Sequence, residues 1–389
     1  MDAIELFSGI GGFRVAADTC AIKTTFANDI DPLACKVYRD HFGDGVLHEG
    51  DVRGLVAAIP RHDLLTAGFP CQPFSSAGKK RGIRDPRGTL FEVIVDVVRT
   101  HRPRWFVLEN VKRLLTMERG LHFATILASL ADLDYLIEWR LLNAMHLGLP
   151  QNRQRVFIVG EAMPPGEPFR STGTRLKSTR LASLSDIAHL SVKHREDAAR
   201  PDRWRPIENH GVRFPHWGLS YDGRFFGFVL PIFSDRGPSV TLKHVLERDV
   251  PDEFDFTDAT LKWIGKNRAV ERFVQGVEIL SNQSGGARMG YTIFGVNGVA
   301  PTLTSTTSRH YERYRVGDRY RRLTNVEYAR IQGFDDDHCR VASVYDQYSL
   351  YGNAVPPPMA KWVLERLSST VQFSNEPRSK RQRNLFEHA

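Results

Sequence analysis

Ile4-Glu5-Leu6-Phe7-Ser8-Gly9-Ile10-Gly11-Gly12-Phe13 begins as an apolar strand, breaks at a glycine turn and resumes as a helix start. A buried run that gives way at glycines to an amphipathic stretch is the first strand–turn–helix unit of an α/β chain. Glycine carries no Cβ, so such a turn lets the backbone come close to a ligand. The spacing is not the dinucleotide pattern Gly-x-Gly-x-x-Gly, because Arg14 stands where the third glycine would be.

The same unit repeats outward from this stretch. Apolar runs at 3–7, 24–28, 63–68, 105–108 and 155–159 read as buried strands, with amphipathic segments at 13–20, 32–42, 89–101 and 121–131 between them. Alternation of this kind predicts parallel strands with crossover helices, a doubly wound Rossmann-like α/β sheet. Ligands of such sheets bind beyond the carboxyl ends of the strands. The second strand ends in Asn28-Asp29, an acid placed to receive ribose hydroxyls, and Asp51 follows Glu49-Gly50. A glycine turn, a ribose acid and a further aspartate suit a nucleoside cofactor without a pyrophosphate, of which S-adenosylmethionine is one. From about 165 to 300 the alternation fails, and Arg, His, Gly and Pro dominate an irregular, mainly β stretch. A last helix is expected from 357 to 367, where Trp362, Val363 and Leu367 form an apolar stripe. A polar, basic tail follows it.

With 389 residues, 41% hydrophobic and 25% charged, the chain has the composition of a soluble globular protein with room for two domains. No apolar run approaches the length of a membrane span, and acids stand near the N-terminus where a signal peptide would carry bases. Four cysteines, Cys20, Cys35, Cys71 and Cys339, lack metal-ligand spacing and point to a reducing, cytoplasmic setting and to no metal. The net charge is +8, but residues 1–160 carry 20 Lys/Arg against 18 Asp/Glu. The excess is concentrated between Lys79 and Arg87 and between Arg309 and Arg322, where six arginines interleave with Tyr311, Tyr314 and Tyr320. Cations with aromatics suit a phosphate backbone and splayed bases.

Cys71 sits in Gly68-Phe69-Pro70-Cys71-Gln72-Pro73-Phe74-Ser75, at the end of a strand and ahead of the cationic Gly78-Lys79-Lys80-Arg81. A thiol there is a candidate nucleophile, although a cysteine read alone is more often a small buried hydrophobe. Glu109 alone would be a surface acid at a strand end. One of Arg153 and Arg155 would ordinarily be solvated.

Jointly these motifs resemble the DNA cytosine-5 methyltransferases, bacterial restriction-modification type. Phe7-Ser8-Gly9-Ile10-Gly11-Gly12 resembles the family's cofactor loop and Pro70-Cys71-Gln72 its catalytic motif. Arg87 to Phe91, Glu109-Asn110-Val111, Gln151-Asn152-Arg153-Gln154-Arg155, Arg322 to Phe334 and Tyr351-Gly352-Asn353-Ala354-Val355 follow in the family's order across roughly residues 2 to 365. The resemblance implies an enzyme that transfers methyl from S-adenosylmethionine to carbon 5 of a flipped-out cytosine in duplex DNA. It implies Cys71 as nucleophile on carbon 6, Glu109 at N3, Arg155 at the O2 carbonyl, and Arg153 supporting Arg155 or Glu109. Phe7, Gly9, Gly11, Gly12, Asp29, Ile30, Asp51, Val52, Pro70, Leu90, Asn353 and Val355 are the implied cofactor contacts. Ile30 stands where the family often has an aromatic.

Lys79, Lys80, Arg81, Arg84, Gln72, Ser75 and Arg309 are the expected DNA contacts. The glycines of the 75–87 loop suit closure over an extruded nucleotide. The implied division is a catalytic domain at 1–180 and 345–372, a target-recognition domain at 181–344 and a disordered tail at 373–389. A monomer serving beside a restriction endonuclease, without direct contact, is the implied setting. An RNA cytosine methyltransferase on the same scaffold, a catalytically silent DNA-binding protein and a nicotinamide dehydrogenase are the rival readings. The long recognition region, the complete Cys71, Glu109 and Arg155 set, and Arg14 count against them in turn.

Overall fold

In the computed structural model, which describes residues 1–70, 90–164, 178–211, 213–230, 238–283, 292–305, 312–369 and 371–372, the opening stretch builds the centre of a parallel sheet. Strands β1 (Asp2–Leu6), β2 (Lys23–Asp29), β3 (Leu47–Glu49), β4 (Leu64–Gly68) and β5 (Trp105–Val111) lie in the order β3-β2-β1-β4-β5. Helices α1 (Gly12–Thr19), α2 (Pro32–Phe42), α3 (Leu90–His101) and α4 (Leu121–Ala131) follow β1, β2, β4 and β5. The start of α2 shows the local logic: Asp31 accepts the Leu33 and Ala34 amides, and Pro32 takes the first helical position, where no amide is needed.

Alternate residues of each strand feed opposite faces. Ile4, Leu6, Leu65, Phe106 and Leu108 pack with Phe91, Ile94, Phe123 and Leu127 of α3 and α4. Ala3, Leu64, Trp105 and Val107 pack with Phe13 and Ala16 of α1 and with Met359 and Val363 of α7 (Pro357–Leu364). That last helix ends three residues earlier than its apolar stripe suggested.

Beyond β5 the sheet departs from the expected parallel order. Strand β7 (Gln154–Ala162) runs antiparallel to β5, and β6 (Tyr135–Asn143), which the periodicity did not reveal, pairs antiparallel with β7. Residues 144–153 are too few to carry a crossover helix, so the chain must return antiparallel. Glu138 and Arg140 hid β6, because charge within an apolar run reads as surface. Both are buried. Glu138 accepts the Trp217 indole N–H at 2.8 Å and the Leu181 amide at 3.0 Å, while Arg140 forms a two-pronged pair with Asp186 at 2.5 and 2.9 Å. A buried polar group is tolerated when its partners are supplied in this way.

Within the stretch assigned to a separate unit from residue 181, the strands at 205–228 pair into the main sheet. Strands β8 (Arg205–Pro206), β9 (Trp217–Tyr221) and β10 (Arg224–Phe228) complete a ten-stranded order β3-β2-β1-β4-β5-β7-β6-β9-β10-β8. Ile207, Phe214 and Phe225 enter the same core as α4.

A second, five-stranded sheet has the order β11 (Arg268–Val274), β12 (Val277–Asn282), β13 (Thr292–Phe294), β14 (Arg313–Val316) and β15 (Arg319–Arg321). Helix α5 (Asn325–Gln332) follows, begun by a capping box between Thr324 and Glu327, and Glu327 also binds buried Arg321 at 2.7 Å. Helix α6 (Val344–Asn353) packs on α5. One apolar cluster joins Ile10, Ala34 and Val37 of the first sheet's layer to Leu303, Tyr314, Tyr328 and Tyr351. The second sheet is thereby seated over the carboxyl rim of the first.

Candidate active site

The rim formed by the carboxyl ends of β1, β2, β3, β4 and β5 collects most of the singled-out residues. The turn after β1 is left-handed, with φ 53° at Phe7, 53° at Gly9 and 84° at Gly11, and only Phe7 is strained by it. A left-handed phenylalanine costs about 1–3 kcal/mol and persists only where its surroundings impose it. Here the Ser8 amide donates to the Asn28 carbonyl at 3.0 Å and the Gly9 amide donates to Asp29 Oδ2 at 2.7 Å. Asp29 also accepts the Asp31 amide at 2.9 Å. Asn28 donates to the His48 and Gly50 carbonyls at 2.7 and 3.0 Å, which draws Asp51 to the same edge.

Gly12 has a different reason. A Cβ on it would stand 2.0 Å from the Val355 carbonyl oxygen. The glycine therefore admits another part of the chain as well as leaving room for a ligand, whereas a Cβ at Gly9 would meet nothing within 4 Å. Ile30 is 66% exposed on the rim, Val52 is packed into the core beneath it, and Asn353 is exposed at the end of α6. Pro70 and Leu90 end and begin the described chain on either side of 71–89. Cys71, Gln72, Ser75, Lys79, Lys80, Arg81, Arg84 and Arg309 lie outside the described residues.

Glu109 occupies the end of β5, paired in register with Gly68 of β4 and Phe157 of β7. Its carboxylate meets Arg155 Nε at 2.9 Å, and both side chains are nearly buried. Burial pushes the Glu109 carboxyl above the usual carboxylate range, with Arg155 and then Arg153 opposing. Burial also pulls Arg155 down against the charge of Glu109. A guanidinium keeps its proton in either case, so the proton that can come and go here belongs to the carboxyl. A Cβ at Gly68 would lie 3.0 Å from Val355 Cγ2 and 3.8 Å from Glu109 Oε2, so Glu109, β4 and the segment after α6 converge. Asn110 donates to the Phe69 carbonyl at 2.8 Å, fixing the backbone two residues before Cys71.

Arg153 and Arg155 make their hydrogen bonds to different partners. The Arg153 guanidinium donates to the carbonyls of Leu303, Gly352 and Ala354 at 2.9, 3.0 and 2.9 Å, and it is fully buried. It reaches Glu109 only through its charge. Any support that Arg153 gives Glu109 is therefore through charge and not through a hydrogen bond, while its hydrogen bonds clamp the main chain at three places. Arg153 precedes β7, which begins at Gln154, so its side chain is not held to the pleat that carries Arg155 toward Glu109. Gln151, given no role in the sequence, extends the clamp: its Nε2 donates to Gln332 Oε1 at 3.0 Å and its Oε1 accepts the Leu303 amide at 3.1 Å. Its signal was present in the Gln-x-Arg-x-Arg spacing, but its partners lie more than 150 residues away.

Cys20, Cys35 and Cys339 have thiols pushed up by burial, Cys35 and Cys339 to about 12. None of the three is suited to act as a thiolate nucleophile. Among the described residues no group of His, Cys, Asp and Glu could hold a metal ion, and no helix is long and apolar enough to cross a membrane.

A sequence profile of the C-5 cytosine-specific DNA methylases matches residues 1–217 and 230–369. The Type II methyltransferase M1.ScrFI of Lactococcus lactis subsp. cremoris is 30% identical over 384 residues, covering 96% of this chain and 79% of that protein. M.HpaII of Haemophilus parainfluenzae is 30% identical over 380 residues, 94% and 90% of the two chains. The fold is similar to that of S. pombe Dnmt2 methyltransferase, with a TM-score of 0.58 at 17% identity over 95% of this chain and 99% of that one. It is also similar to the Entamoeba histolytica methyltransferase EhMeth, at 0.57 and 16% over 94% and 97%.

Proposed function

Because the chain belongs to the C-5 cytosine-specific DNA methylases and methylates cytosine in DNA at carbon 5, we propose that its chemistry is centred on Cys71, Glu109 and Arg155. The observation that carries this assignment is the buried Glu109–Arg155 pair at the β5 rim, next to the strand that runs into Cys71. The raised thiols of the three described cysteines support Cys71 as the proposed nucleophile.

Carbon 5 of cytosine is a weak nucleophile. Attack of the Cys71 thiolate on carbon 6 places the ring electron pair at carbon 5 and N3. A Glu109 carboxyl raised by burial is held ready to give N3 a proton or a hydrogen bond. Arg155 presents the remaining edge of its fork to the O2 carbonyl while its Nε holds Glu109. Loss of the carbon-5 proton to a base then expels Cys71 and restores the aromatic ring. The target must leave the stack to reach these groups, at a cost of roughly a few kcal/mol.

S-adenosylmethionine is the proposed cofactor and supplies the methyl group when bound. The residues fit such a molecule: open space at Gly9, the carboxylates of Asp29 and Asp51, and the bare apolar surface of Ile30 share one rim. Phe7, Gly11, Gly12, Val52, Pro70, Leu90, Asn353 and Val355 border it. Sequence choice is assigned to a recognition unit built on β11–β15 and the neighbouring 282–310 region, including Arg309. The catalytic unit keeps residues up to 230 because β8–β10 belong to its sheet. Lys79, Lys80, Arg81 and Arg84, with Gln72 and Ser75, are assigned to DNA. The setting proposed is the cytoplasm of a bacterium, as a monomer beside a cognate endonuclease that it need not touch.

A duplex library carrying 5-fluorocytosine, incubated with S-adenosylmethionine and run on a denaturing gel, tests the mechanism. Fluorine does not leave as a proton does, so a covalent protein–DNA band is expected with the wild type. No band with the wild type, or an equal band with Cys71→Ser, overturns the assignment.

A further inference from the structure

A second cationic cleft of about 640 Å³ opens beside the catalytic rim, at the outer end of the main sheet. It starts three residues from Glu109: Lys112 follows the last residue of β5, and the Phe214 amide donates to the Leu115 carbonyl at 2.9 Å. The His210 ring meets the Arg119 carbonyl at 3.0 Å, which ties residues 207–211 to the segment leading into α4. Strand β9 begins at Trp217, opposite Arg140 near the end of β6, so His216 and Arg213 lie toward the same rim as Glu109.

The charge in this cleft is one-sided. Lys112, Arg203, Arg205 and Arg213 line it against a single acid, Asp197, which Arg203 already engages at 3.0 Å. Lys112 and Arg213 are exposed and have no ion-pair partner among the described residues. Arg205 lies over the Phe225 ring, 5.5 Å from its centre. His216 feels the excess: burial, then Lys112 and Arg213, push it below the ordinary histidine range, and its Nδ1 is buried without a hydrogen-bond partner. A wide, positively charged groove with aromatic walls suits phosphodiester groups.

We propose that this cleft holds the backbone of DNA flanking the methylated cytosine, with phosphates against Lys112, Arg205 and Arg213. The proposal rests on duplex DNA being the substrate. It makes the β8–β10 extension of the main sheet a second DNA-holding surface, separate from the recognition unit on the five-stranded sheet. Its contribution is independent of base sequence, because phosphates carry no sequence.

The test is the salt dependence of binding to a mixed-sequence duplex, with wild type, Lys112→Ala/Arg213→Ala and Arg213→Lys. Each phosphate contact contributes about 0.9 to the slope of log affinity against log salt, so loss of two should flatten it by about 1.8. Arg213→Lys keeps the charge and should keep the slope. An unchanged slope in the double variant overturns the proposal. So does AMP binding that the double variant loses while the DNA slope stays the same, which would make the cleft a nucleotide site. Transfer of tritiated methyl from S-adenosylmethionine to genomic DNA by the wild type is measured alongside. If that transfer is absent, the reading of the substrate has failed; if it is present and the slope is unchanged, only the cleft assignment has.

Discussion

Replacing Glu5 with glutamine should stabilise the fold, and by more as the pH rises. Glu5 lies in β1, 2% exposed, directly before the strained turn, and accepts the Tyr38 hydroxyl at 3.3 Å. Burial pushes its carboxyl from the ordinary 4.5 up to about 8, with Tyr38 and Arg14 opposing. Below 4.5 the folded and unfolded chains both hold the proton, and no difference arises. Between 4.5 and 8 only the folded chain holds it, so folded stability falls by about 1.4 kcal/mol for each pH unit. Above 8 the loss is complete at roughly 5 kcal/mol, the product of the shift and that slope. Glutamine has no proton to lose and can still accept from Tyr38, so the variant lacks this slope. Urea unfolding followed by tryptophan fluorescence at several values between pH 5.5 and about 8.5 measures it. The gap between Glu5→Gln and wild type should widen by about 3 kcal/mol from about pH 6 to 8. A gap that stays constant, or one that reverses at high pH, would show Glu5 to be ionised in the fold and held by Arg14.

Other expectations concern the rim itself. Glu109→Gln should lower kcat by about 10²–10⁴-fold, the usual worth of a placed acid, and should lack the high-pH fall expected of the wild type as its raised carboxyl ionises; a pH–rate profile unchanged in shape would contradict this. Arg153→Ala leaves three carbonyls without a donor, and a loss of roughly 3–5 kcal/mol in unfolding free energy is expected, against no change if the clamp is idle. Gly12→Ala forces a Cβ onto the Val355 carbonyl and should cost about 1–3 kcal/mol and weaken S-adenosylmethionine binding by calorimetry; wild-type affinity would mean that the 355 segment can move aside.

Much of the first sheet was legible because its elements declare themselves locally. The expected helices at 32–42 and 121–131 are observed at those bounds, and strands 105–108 and 155–159 lie within β5 and β7. What escaped was β6, whose Glu138 and Arg140 have their partners at 178–217, and the membership of 205–228 in the main sheet. Those failures share a cause: a buried charge looks solvated until the residue that neutralises it is found. At the site, Glu109 and Arg155 could be named from spacing, yet their contact depends on the antiparallel register of β5 and β7, which alternation alone had read as parallel.

Periodicity and glycine placement are short-range properties, and they suffice for strand, turn and helix order and for the acids at strand ends. Pairing direction, sheet edge and clamp are not short-range. Arg153 acquires its role from carbonyls at 303, 352 and 354, and Gly12 from the carbonyl of 355. The cationic cleft likewise exists only because Lys112 and Arg213, about a hundred positions apart in the chain, are brought to one rim when β9 pairs with β6. Local sequence dictates which groups the rim can offer; packing across long separations dictates which of them meet, since only folding removes the water that would otherwise keep each one solvated and apart.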